Sequence, residues 1–67
     1  MLSARNQLAG TIKEVKLGAV MAEVIVDVAG HEVVAAITRS SVESLDLKVG
    51  DKVKAVIKAT EVMVAKD

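Results

Sequence analysis

Apolar and polar residues alternate with a period of two along most of this chain, and glycines divide the alternating runs. Over residues 19–29, Val20, Ala22, Val24, Val26 and Val28 share one face, while Met21, Glu23, Ile25, Asp27 and Ala29 share the other. A period of two is the mark of a strand with one buried side. Residues 11–17 alternate in the same way and direct Val15 and Leu17 inward. Residues 33–38 form a continuous apolar run, which predicts a strand covered on both faces. In residues 52–59, Val53, Ala55 and Ile57 oppose Lys52, Lys54, Val56 and Lys58. Residues 61–65 predict a last short strand. Gly30-His31, between two β-branched runs, reads as a hairpin turn. Residues 48–51, with Gly50, read as a turn into the fourth strand. Ser40-Ser41-Val42-Glu43 fits a capping box, a serine with a glutamate three residues on. One or two helical turns over residues 41–45 follow from it.

These elements predict an all-β domain: a small, OB-fold-like Greek-key barrel of about five strands, with one short helix between the third and fourth. The chain has 67 residues, enough for a single small domain. A domain of this size buries only about 60% of the surface its unfolded chain exposes. Small domains make up the difference with disulfides, a structural metal or oligomerisation. There is no cysteine and one histidine, His31, so thiolate and imidazole clusters within one chain are ruled out. Hydrophobic residues make up 52% of the chain but none is aromatic. Small β-branched side chains make thin, closely apposed sheets rather than a thick core. An oligomer is therefore expected.

Charge narrows the function. Nine basic residues balance nine acidic ones. A nucleic-acid-binding module carries a basic surplus, and one that stacks bases carries aromatic side chains. Neither is present. No apolar run approaches the roughly 18 residues of a membrane span, and the start does not resemble a secretory leader. A soluble, cytoplasmic protein is expected. Ser3, Ser40, Ser41 and Ser44 are the serine hydroxyls, but only His31 offers an imidazole base, and it falls on a turn. A nucleophile, base and orienting acid cannot be assembled from this set, so no enzyme activity is expected.

Donor chemistry remains. Ser3, Arg5, Asn6 and Gln7 lie within five residues, and no carboxylate precedes Glu14. Lys58, Ala59 and Thr60 repeat the theme near the other end, and Thr38 and Ser41 add hydroxyls. A fully ionised tetrahedral oxyanion offers only acceptors, so its site must offer only donors. Arg5 can give two parallel N–H bonds and Lys58 a compact second charge, which together balance a dianion. The same residues also fit a plainer role. Arg5 and Lys58 suit solvated surface positions over a β-sheet, Ser40 and Ser41 suit helix capping, and Asn6 and Gln7 suit edge backbone groups. Met21 and Met63 fit core or interface filler.

The opening Ser3-Ala4-Arg5-Asn6-Gln7-Leu8-Ala9-Gly10-Thr11-Ile12 resembles that of the molybdopterin-binding-protein (Mop) family, the molbindins. The later blocks agree in order and spacing: Gly18-Ala19-Val20-Met21-Ala22-Glu23-Val24, Ile37-Thr38-Arg39-Ser40-Ser41-Val42, and Gly50-Asp51 through Ile57-Lys58-Ala59-Thr60-Glu61-Val62-Met63. The resemblance implies one Mop-type oxyanion-binding domain over residues 1–67. It implies molybdate, and tungstate too, as ligand, and a role in molybdenum storage or homeostasis in the cytoplasm. It also implies a homo-oligomer, a hexamer built as a trimer of dimers, with oxyanions held at subunit interfaces. Carried over by position, that site draws on Ser3, Arg5, Thr38, Ser41, Lys58, Ala59 and Thr60, with Ala59 giving only its backbone. The family has a second class of site, for which the Gly18-Ala19-Val20 stretch and His31 are the candidates here. Two alternatives stand beside this reading: a nucleic-acid-binding OB module, and a structural or regulatory domain with a vestigial site.

Overall fold

A long first strand, β1 (Asn6–Leu17), organises the molecule by pairing with two different partners. The computed structural model describes residues 4–67. The first half of β1 runs antiparallel to β4 (Lys52–Ile57), from Asn6 opposite Ile57 to Thr11 opposite Lys52. Its second half runs antiparallel to β2 (Met21–Val28), from Thr11 opposite Asp27 to Leu17 opposite Ala22. β2 in turn pairs with β3 (His31–Thr38). The order β3-β2-β1-β4 is a Greek key: three hairpin-connected strands, and a fourth that returns beside the first. The return runs through the helix α1 (Arg39–Leu45).

Gly10 sits where β1 changes partner. A Cβ there would lie 2.6 Å from the Asp27 carbonyl oxygen and 2.7 Å from Val26 Cγ1. Only a bare backbone lets the end of β2 come this close. Two residues on, the register of β1 shifts between Ile12 and Glu14, leaving Lys13 as the extra residue of a bulge. The bulge corrects the strict alternation expected for residues 11–17. Ile12 and Val15 fall on opposite faces under a period of two, yet Ile12 is the most deeply buried side chain and Val15 packs on the same core. Inserting one residue moves both to the inner face.

The core is Ile12, Ala22, Val24, Val26 and Val42, the last supplied by α1. Val20 belongs to the same face by sequence but lies before β2 and is 72% exposed. The β3 run departs from expectation. Its burial alternates, and Val34 on the outer face is 58% exposed, so within one chain only one side of β3 is covered.

Three local expectations are also corrected. The β2–β3 turn is Ala29-Gly30, not Gly30-His31. Both turn residues have positive φ (51° and 87°), as a two-residue hairpin of this hand requires, and Val28 pairs with His31. The helix N-cap is Thr38 rather than a serine. Thr38 is extended (φ −72°, ψ 149°), and its Oγ1 accepts the N–H of Ser41 at 3.1 Å. Arg39 N–H donates to the Val20 carbonyl at 2.8 Å, which ties the start of the helix to the residue just before β2. Finally, residues 61–65 do not form a fifth strand. The chain closes a 3₁₀ turn at Ala59–Glu61, then runs on with no ladder partner among the described residues, leaving Met63 and Val64 more than 90% exposed. Four strands form a curled, open half-barrel in place of the five expected. The turn expected at residues 48–51 is present: Gly50 has φ 94°, and Lys48 N–H donates to Asp51 Oδ2 at 3.0 Å.

Candidate functional site

The two ends of the chain meet through backbone pairing. Because Asn6 lies opposite Ile57, the residues just outside the β1–β4 ladder, Arg5 and Lys58, are neighbours. Ala4, Arg5, Lys58, Ala59 and Thr60 line one open cleft of about 240 Å³. Within one chain, this joins the opening donor cluster to the closing one. The 3₁₀ turn begins directly after Lys58, whose carbonyl takes the N–H of Glu61 at 2.9 Å. The first N–H groups of such a turn have no acceptor inside it. Ala59 therefore adds a main-chain donor despite its bare side chain. Among the described residues, no carboxylate lines the cleft.

Gln7, a carboxamide of the opening donor cluster, acts next to the cleft. Its Nε2 donates to the Ala4 carbonyl at 3.0 Å and so occupies an acceptor on the wall of the cleft. An acceptor left free there would repel an anion. Its position two residues from Arg5 is the sequence signal for that role. Ser3 lies outside the described residues.

Thr38 and Ser41 are placed elsewhere. Thr38 pairs with Met21, beyond the Leu17–Ala22 pair, at the end of the sheet remote from Asn6 and Ile57. The eleven steps of β1 between those ends correspond to roughly 35 Å of strand path. A single chain therefore divides the predicted donors into two groups. The second group borders a cleft of about 570 Å³ lined by Ala19, Val20, Thr38, Arg39, Ser40 and Glu43. There Thr38 Oγ1 and Ser41 Oγ are 2.8 Å apart, so one hydroxyl donates to the other. Whichever donates, the other O–H proton of the pair is left to point outward. Arg39 donates from Nη1 to the Gly18 carbonyl at 3.3 Å, and its Nε lies 3.7 Å from Glu43 Oε2. That guanidinium is committed to the fold. Gly18 and Val20 lie at this same end of the sheet, whereas His31 opens the strand at the opposite end, so these two candidates do not meet in one chain.

Among the described residues, no group of three or more His, Cys, Asp or Glu is placed to hold a metal ion. Nor is any helix among them long and apolar enough to cross a membrane.

Fold and cleft together describe an OB-like half-barrel with a cleft between its chain ends that, among the described residues, is lined by donors and no carboxylate. The chain belongs to the TOBE-domain family, whose profile matches residues 2–64, and within it to the Mop-type proteins. Molybdenum-pterin-binding protein 3 of Clostridium pasteurianum is 47% identical over 64 residues, which cover 94% of each chain. A molybdate-binding protein from Sporomusa ovata superposes with a TM-score of 0.95 at 53% identity, over 98% of both chains. The cytoplasmic molybdate-binding protein ModG, solved with molybdate bound, superposes at 0.82 with 47% identity, over 88% of this chain and 43% of its own. The family is one of binding proteins, not enzymes.

Proposed function

We infer that this chain is a single Mop-type domain, residues 1–67, that binds molybdate, and tungstate in the same way, in a homo-oligomer whose sites form between subunits. The observation that carries this reading is the cleft of Arg5, Lys58, Ala59 and Thr60, all donors, with no carboxylate in its lining. The names of the relatives supply the ion: molybdate for the Sporomusa ovata protein and for ModG.

The cleft by itself is too open for one tetrahedral ion. Its volume of about 240 Å³ is that of roughly eight waters, at about 30 Å³ each. A second surface has to close it, and Thr38 and Ser41 of another copy are suited to that. Their paired hydroxyls leave one O–H proton over, and their end of the sheet is out of reach within their own chain. Ser3 adds a hydroxyl from the opening segment. Arg5 and Lys58 then neutralise the dianion, which makes its burial tolerable. Because binding stabilises the assembled state, the anion tightens the oligomer by mass action.

The monomer surface supports the assembly. Val34, Met63 and Val64 are exposed apolar side chains, and β3 and β4 are unpaired edges of the sheet. Free edges of this kind are normally covered or paired. A hexamer arranged as a trimer of dimers is the expected state. Storage or buffering of molybdate in the cytoplasm follows from it as the role.

Native mass spectrometry after incubation with molybdate tests this. The expected spectrum is an oligomer carrying several oxyanions. A monomer, or an oligomer with no retained anion, overturns the reading and favours a structural domain with a vestigial site. A shift of a labelled oligonucleotide that weakens with salt favours the nucleic-acid alternative instead.

A further inference from the structure

Four cations share one face of the ribbon that β1 and β4 make. The register sets Ala9 opposite Lys54 and Thr11 opposite Lys52. Side chains two apart on a strand share a face, so Lys52 and Lys54 share one face of β4, and carrying the alternation one step past the Asn6–Ile57 pair puts Arg5 and Lys58 on the same side. All four are exposed. Lys52 Nζ donates to Thr11 Oγ1 at 3.2 Å across the ribbon, which places these two side chains on one face.

Of the five other basic residues, four are paired; Lys66, near the end of the chain, is the fifth. Lys13, Lys16, Arg39 and Lys48 each lie against a carboxylate, and among the described residues none of the four ribbon cations does. Asp51 directly precedes Lys52, and its Oδ2 takes the Lys48 N–H at 3.0 Å. Asp27 also borders the ribbon. It stands opposite Thr11, at the end remote from Arg5, and its Oδ1 takes the Gly30 N–H at 3.0 Å. With a net charge of zero, the positive ribbon reflects segregation of charge rather than a surplus.

The Arg5–Lys58 cleft lies at one end of this ribbon. Counting strand residues puts Lys54 about 13 Å and Lys52 about 20 Å from Lys58. Neither lysine reaches an ion held beside Lys58. Both lie within the Debye length of roughly 30 Å that holds at about 0.01 M salt, and both lie beyond the roughly 8 Å that holds at about 0.15 M.

We propose that Lys52 and Lys54 are an electrostatic guide that speeds entry of small dianions into the Arg5–Lys58 cleft. This rests on the reading of that cleft as an oxyanion site. The screened Coulomb attraction of two such charges for a dianion in water corresponds to about a threefold faster approach at about 0.01 M salt and about 1.3-fold at about 0.15 M. Lysines on an edge strand also discourage edge-to-edge aggregation. That role alone leaves association rates unchanged.

The test is uptake of radiolabelled molybdate by rapid filtration, comparing the wild type with Lys52→Gln/Lys54→Gln at both salt concentrations. Association is expected to slow about threefold at low salt and by less than about 1.5-fold at high salt, with dissociation unchanged at both. Lys52→Arg/Lys54→Arg keeps the charge and must keep the rate. Lys13→Gln/Lys16→Gln makes the same change in net charge away from the ribbon and must leave the rate within about 1.5-fold. Equal association at low salt, an equal effect of the control pair, or an effect confined to dissociation overturns the guide and leaves the cleft's function standing. A wild type that takes up no molybdate overturns both.

Discussion

Replacing Gly10 by alanine is expected to destabilise the fold by closing a place where β1 and β2 need a bare backbone. The new Cβ would stand 2.6 Å from the Asp27 carbonyl oxygen, 2.7 Å from Val26 Cγ1 and 2.9 Å from Val28 Cγ2. Real Cβ atoms do not approach this closely, so something must move. The Asp27 carbonyl belongs to the backbone of β2 and is held by the sheet. Val26 is buried and, being β-branched, has little freedom at χ1. Gly10 is not among the residues with positive φ, so alanine meets no dihedral penalty there. It even gains about 0.4–1 kcal/mol by restricting the unfolded chain. Overpacking of a tight site costs about 1–3 kcal/mol, and a backbone carbonyl as the obstacle places this case toward the upper part of that range. The net loss is about 2 kcal/mol. For a domain of this length that lowers the melting temperature by about 8–16 °C. Differential scanning calorimetry at one fixed protein concentration measures it. A melting temperature equal to or above that of the wild type would refute the close approach of β1 and β2.

Three further outcomes are expected. Arg5→Ala weakens molybdate binding by about 2–4 kcal/mol, the usual cost of removing one member of a buried, hydrogen-bonded charge pair; calorimetric titration reads it, and unchanged affinity removes Arg5 from the site. Thr38→Val loses the helix cap and costs about 1 kcal/mol of stability, while Thr38→Ser keeps it; equal thermal melts of the two variants contradict the cap. The Lys13 ammonium beside Glu32 holds that carboxyl below its usual 4.5 and raises its own value above 10.5, through their hydrogen bond first and their attraction second. The Glu32 contribution to stability is thus present above about 4.5 and lost as pH falls through its lowered value. That of Lys13 is present below about 10.5 and lost as pH rises through its raised value. An NMR titration of Glu32 that does not move upward in Lys13→Gln contradicts the pairing.

The period of two was enough to read β2 and β4 and the inward faces of both, because side-chain parity follows directly from the pleat. It failed at Lys13, where one extra residue brings Ile12 and Val15 to the same side; nothing in a lysine marks a bulge. It failed again at the β2–β3 turn, where alanine occupies a positive φ that is normally left to glycine or asparagine, and this shifted the expected turn by one residue. The helix cap was misplaced because Ser40 and Glu43 satisfy the capping pattern, while the end of β3 at Thr38 determines where the helix starts. Residues 61–65 alternate like a strand, but a strand exists only with a partner edge, and the chain does not present one to them.

For the candidate site, residue types identified the donors and backbone register brought half of them together. Arg5 meets Lys58 because β1 and β4 pair at Asn6 and Ile57, a long-range contact that no local motif encodes. Thr38 and Ser41 stand at the far end of the same sheet for the same reason. The proposed site needs these two ends to converge from different copies of the chain.

The most direct test of that convergence is a crystal of the protein grown with molybdate, read at the molybdenum absorption edge. The predicted anomalous peak lies in the cleft of Arg5, Lys58, Ala59 and Thr60, with Thr38 and Ser41 of a neighbouring subunit closing over it. A peak elsewhere, with the Arg5 and Lys58 side chains turned into solvent, would contradict it.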